Sequence, residues 1–170
     1  METTIPTSHY HSYFKRYIDL VVEHPLKKAL KSGISKSKGF YESLPEDIWA
    51  YQYAEGKWTP KEVLLHVIDT ERVFSYRALQ IARSNQVKLK GYDENLFAKN
   101  SNANNRSIKS LISEYVSVRA ATIALFESFS EDILNKIGTA DGKPLSVIAS
   151  GYIICGHDLH HINIIKERYI

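Results

Sequence analysis

The chain has 170 residues, 44% hydrophobic and 24% charged, close to the average for a globular domain. That length suits one domain, residues 1–170, able to bury a core without disulfides. A formal net charge of +3 with scattered lysines gives no dense basic stripe, which argues against a nucleic-acid partner, and no apolar run approaches the roughly 18 residues of a membrane span.

The opening METTIPTSHYHSYFKRY lacks the apolar core of an export signal. Cys155 is the only cysteine, so neither an intramolecular disulfide nor a cysteine-rich metal knot is available. Together these features fit a reducing, cytoplasmic setting.

Strand signals are poor along the chain, whereas helical punctuation is good. Residues 10–23 read as a short helix, interrupted at His24-Pro25 because proline disfavours helical backbone in the residue before it. A helix over about 25–43 follows, despite Gly33 and Gly39, and stops before Leu44-Pro45. Thr59-Pro60-Lys61-Glu62 then supplies an N-cap hydroxyl, a proline at the first helical position and a glutamate to close a capping box. Behind it Val63, Val67, Thr70, Phe74, Ala78 and Ile81 recur at three- and four-residue spacing, until the polar Ser84-Asn85.

Residues 84–106 form a connection longer than the roughly 12–15 residues usual in compact domains. Gly91, Tyr92, Asp93, Glu94 and Phe97 lie within it, so it is expected to be functional and to cover one end of the fold. A helix over about 107–129 presents Ile108, Leu111, Ile112, Tyr115, Val118, Ala121, Thr122, Leu125 and Phe126 inward. After Gly138 and the turn Ala140-Asp141-Gly142-Lys143, a last helix opens near Pro144 and runs to about residue 168. Four long helices predict an all-α four-helix bundle with an additional short N-terminal helix.

The histidines are unevenly spread. His157 and His161 are four residues apart, so in a helix their rings stand one turn apart on one face and can converge on an ion. His66, on the capped helix, can complete the set, because bundle interiors build metal sites from facing helices. Three imidazoles with an open position are the ligand set of a catalytic zinc site, and imidazole also suits nickel, copper and iron. Such pairs also arise by chance, and a lone histidine is more often a satisfied core or surface residue. His160 points roughly 100° away from His161 around the helix, which suits a group supporting the ligands, a substrate contact or a surface position better than a ligand.

These residues carry a resemblance. YAEGKWTPKEVLLHVIDTERVFSYRALQIAR (53–83), GYDEN (91–95) and GHDLHHINIIKERY (156–169) resemble the DinB/YfiT-like superfamily of metal-binding four-helix bundles, over most of the chain. The resemblance implies a histidine on the second bundle helix and two at i, i+4 on the last, which fall on His66, His157 and His161, holding one divalent transition metal, zinc or nickel. It implies a metal-dependent hydrolase or a thiol S-transferase acting on a small molecule, with a low-molecular-weight thiol as one partner, and a homodimer. Where that family carries Gly-Asp after the second helix and proline before the next glycine, this chain has Ser84-Asn85 and Lys90.

An open coordination position can activate water, giving a hydrolase, or hold a thiol as thiolate, giving a transferase. Weak candidates for a supporting catalytic group are Asp69, three residues from His66, then Asp93 and Glu94 in the long connection, and His160. Their plainer readings are a salt-bridge set with Glu71 and Arg72, a turn with a helix cap, and a surface group. Cys155 reads as a small buried hydrophobe and Trp49 and Trp58 as packing anchors. The alternative function is a non-catalytic metal-binding or metal-stabilised interaction module, which a fourth protein ligand would favour.

Overall fold

Caps and breakers set most element boundaries in the computed structural model, which describes residues 5–170. Short 3₁₀ turns lead into α1 (Lys15–Ile18), and Pro25 precedes α2 (Leu26–Ser43). Helix α3 (Pro60–Arg83) begins with the expected capping box: Thr59 accepts from the Glu62 amide at 3.2 Å, and the Thr59 amide donates to Glu62 at 2.8 Å. Helix α4 (Glu94–Asn100) is capped by Asp93, α5 (Ile108–Glu127) by Ser107, α6 (Glu131–Leu134) by Ser130 and α7 (Val147–Arg168) by Ser146.

Helices α2, α3, α5 and α7 form the bundle. Both α2 and α3 make their main contacts with α5 and α7, so α2 and α3, consecutive in the bundle, sit across a diagonal. The core divides into two apolar groups along the bundle. One joins Leu26 and Leu30 to Phe74, Ala78, Phe126 and Ile153; the other joins Tyr41 to Leu64, Ile68, Leu111 and Ile165. The grouping fixes the directions: α3 runs antiparallel to α7 and parallel to α5.

That parallel pair explains the long connection. The chain leaves α3 at one end and must return to the other before α5 can start. Segment 84–107 therefore runs back along the bundle rather than covering one end, as its length alone had suggested. Thr59 Oγ1 bonds Asn104 Oδ1 at 2.7 Å, tying the start of α3 to the end of the return path.

A small sheet departs from the weak strand signal. Strand β1 (Lys88–Leu89) pairs in parallel with β2 (Ile137–Ala140), which pairs antiparallel with β3 (Lys143–Ser146). Asp141 and Gly142 make the two-residue turn with φ of 52° and 69°, the positive values a type I′ hairpin needs. Pro144 lies in β3, so α7 starts at Val147, about a turn later than proline placement suggests. The short N-terminal helix is also shorter than its sequence pattern, with 3₁₀ turns and bends around four α-helical residues. No helix among the described residues is long and apolar enough to cross a membrane.

Between the two apolar groups lies a charged layer drawn from all four bundle helices. Arg119 of α5 donates through Nε to Glu71 of α3 at 2.9 and 3.0 Å, and through Nη2 to Asp158 of α7 at 3.2 Å. Asp158 also accepts from Tyr115 at 2.6 Å and from Ser37 of α2 at 2.8 Å. Gly33 makes room for this layer, since a Cβ there would lie 2.5 Å from Arg119 Nη1.

Candidate metal centre

Helix geometry alone brings the three histidines together. His66 lies in the second turn of α3, and His157 and His161 face it from antiparallel α7. Nε2 of His157 is 3.1 Å from Nε2 of His66 and 3.1 Å from Nε2 of His161. Nitrogens about 2.0–2.1 Å from one ion, at roughly 90–110° to each other, stand about 2.9–3.4 Å apart. The spacing fits that arrangement. Among the described residues, this is the cluster of histidine, cysteine or acidic groups close enough to hold an ion, and it has no fourth protein member.

The rings are also in the right protonation state. Burial pushes His66 down to about 4 and His161 to about 3, the latter helped by the charges of His66 and His160. His157 is lowered by burial first, then by its histidine neighbours. All three are therefore neutral near pH 7, as metal ligation requires. Nε2 of His157 carries either one proton or one lone pair, so it cannot make a good hydrogen bond to both neighbours at once, whereas a cation at the convergence point takes the lone pairs of all three rings.

Aromatic groups wall the cluster. Trp58 packs against His66 with ring centroids 4.8 Å apart. Tyr17 of α1 stands edge-on to His157 at 5.3 Å and to His160 at 5.2 Å. Sequence periodicity gave no reason to single out Tyr17. The signal was Gly156: a Cβ there would lie 1.9 Å from the Tyr17 carbonyl oxygen, so only glycine lets α1 close on α7.

The histidines open into a cleft of about 490 Å³ bounded by α1, α3, α7, the hairpin and residues 91–95 of the return segment. Tyr92 bridges to α3 through a 2.8 Å hydrogen bond with Thr70. The long connection thus contributes a wall of the cleft.

The weaker candidates separate. His160 and Glu94 line the cleft, Glu94 from its exposed rim. Asp93 spends its Oδ1 on the Asn95 and Leu96 amides, both at 3.0 Å, and so caps α4. Asp69 pairs with Arg72 of its own helix at 3.4 Å, and Arg72 in turn pairs with Glu114 of α5 at 2.7 Å. Glu71 does not join that surface set; it belongs to the buried layer around Arg119. The Cys155 thiol is buried and pushed up to about 12, mainly by desolvation, which removes it as a nucleophile.

A family model of the DinB superfamily matches residues 29–165. Among solved structures the chain is similar to YfiT from Bacillus subtilis, described as a probable metal-dependent hydrolase with an unusual four-helix bundle topology. That match has a TM-score of 0.75 at 15% identity, over 98% of this chain and 91% of the other, and shows a shared fold. No curated protein sequence gives a significant match.

Proposed function

Since the chain belongs to the DinB superfamily over residues 29–165, we propose that it is a metal-dependent enzyme acting on a small molecule, with His66, His157 and His161 as the ligands of one divalent transition metal. The observation that carries this reading is the convergence of three Nε2 atoms, that of His157 buried and the other two partly so, with no fourth protein ligand among the described residues. The description of YfiT as a probable metal-dependent hydrolase supports the same class.

Such an ion, zinc or nickel by ligand type, supplies Lewis acidity toward water, a thiol or a carbonyl oxygen. The chain's own residues supply the rest. The two α7 histidines and His66 hold the ion from rigid helices, and the Arg119 layer fixes those helices against each other. Trp58 and Tyr17 keep bulk water from the ring edges, which strengthens electrostatic interactions inside. His160, half-buried in the cleft wall, would accept or return a proton there, a role its place in the lining supports.

Hydrolysis and thiol S-transfer are the two reactions we propose, and they part on the nucleophile. Assays of metal-loaded protein with ester and amide substrates, beside thiol-conjugation assays with small cytoplasmic thiols, separate them. Turnover that needs both the metal and a thiol selects the transferase. A homodimer belongs to the same proposal, and a monomeric mass by light scattering at micromolar concentration would remove it.

A further inference from the structure

Among the described residues two arginines are buried, and their surroundings differ. Arg119 has two carboxylates within ion-pair distance. Arg77 of α3 is 6% exposed, yet among the described residues its hydrogen bond is a single one, from Nη2 to the Lys90 carbonyl oxygen at 3.3 Å. The carboxylate whose charge reaches it, Asp141, is exposed and lies 3.7 Å from Lys143. A buried guanidinium without a counter-ion is costly, and chains avoid it unless something else supplies the anion.

Arg77 lines the same cleft as the histidines. At about 100° per residue, eleven residues are three helical turns, so His66, Thr70 and Arg77 share one face of α3. The guanidinium carbon lies 4.9 Å from the Phe74 ring centroid and 5.8 Å from that of Tyr92. Stacking against rings uses the flat face of a guanidinium and leaves its N–H edge free for a planar pair of oxygens. The other charged groups of the cleft, Arg16, Lys143, Glu94 and Asp141, are exposed at its rim in opposite signs. The charge held below the rim is that of Arg77.

We infer that Arg77 receives an anionic group, a carboxylate or a phosphate, at one end of an elongated small substrate whose reacting end lies at His66, His157 and His161. This rests on the metal reading for the second end only. Eleven residues of α3 set the two Cα positions about 16 Å apart along the helix, which excludes compact substrates such as short-chain hydroxy acids from spanning both ends. Arg77 is in this sense a specificity residue: it selects charge and length without touching the reacting atoms.

The test uses probes that read the two ends separately. Metal-free protein is titrated calorimetrically with octanoate, octyl phosphate and 1-octanol. One of the two anions is expected to bind about 30-fold or more tightly than the alcohol, the penalty for leaving a buried charge unpaired. Which anion wins assigns carboxylate or phosphate. The preference should vanish in Arg77→Gln and survive in part in Arg77→Lys, which keeps the charge but loses the fork. Equal binding of anions and alcohol to the wild type overturns the inference, and that comparison needs no variant to fold. In cobalt-loaded protein, 8-mercaptooctanoate should perturb the cobalt absorption at lower concentration than 8-mercaptooctanol, again only with Arg77 present. Failure of cobalt to load would overturn the metal reading, leaving the octanoate titration to decide the anion site.

Discussion

The Arg119 guanidinium reaches Asp158 at 3.2 Å, and Asp158 is the residue directly after His157. One residue along a helix is a rotation of roughly 100°, so fixing Asp158 toward the bundle axis sets the angle at which His157 faces α3. Glu71, also bound by Arg119, lies five residues after His66 on α3. A single guanidinium thereby holds both ligand-bearing helices in register.

Replacing it should show both effects. Arg119→Met leaves two buried carboxylates unpaired and is expected to destabilise the fold by about 3–5 kcal/mol. Urea denaturation measures that loss, and titration with zinc should show weaker affinity in the fraction that remains folded. Stability close to wild type would mean the layer does not anchor the helices.

Gly156→Ala should displace α1. With the new Cβ directed at the Tyr17 carbonyl oxygen, overpacking of this kind costs about 1–3 kcal/mol. Limited proteolysis is expected to cut within residues 5–24 of the variant while sparing the wild type. Equal protection of that segment would show that α1 tolerates the shift.

The metal-free protein should weaken on acidification. His66 and His161 titrate near 4 and 3 in the fold and near 6.5 when unfolded, so between those values the unfolded chain takes up protons that the folded chain refuses. Stability contributed by these rings is full above about pH 6.5 and is lost as pH falls toward 4. In chelator-treated protein, His66→Phe should flatten the fall in unfolding free energy between pH 6.5 and 4.5. Parallel slopes for variant and wild type would contradict the assigned shift.

Cys155 should be silent. Its buried thiol, pushed up to about 12, is expected to react with a disulfide reagent at pH 8 only as fast as the protein opens. Immediate stoichiometric labelling of the folded protein would place the thiol at an accessible surface.

Much of this was legible from residue types, for identifiable reasons. The capping box at Thr59 and Glu62 acts locally, so α3 starts where its sequence says. The spacing of His157 and His161 is likewise a property of one helix. What could not be read depended on partners distant in the chain. Pro144 looks like a helix start, but pairing with Thr139 makes it part of a strand. The cluster at Tyr17, Tyr92 and Arg77 joins three segments through Gly156 and a return path whose direction follows from α3 and α5 being parallel. Arg119 falls among apolar positions of α5, where spacing alone cannot tell a buried ion layer from an exposed edge.

The most direct test of the metal centre is elemental analysis of protein purified without a metal-affinity tag, wild type beside single alanine variants of His66, His157, His160 and His161. Near-stoichiometric zinc or nickel in the wild type and in His160→Ala, falling to background in the other three, is the expected result. No metal in the wild type after reloading, or equal loss in all four variants, would contradict the three-histidine site.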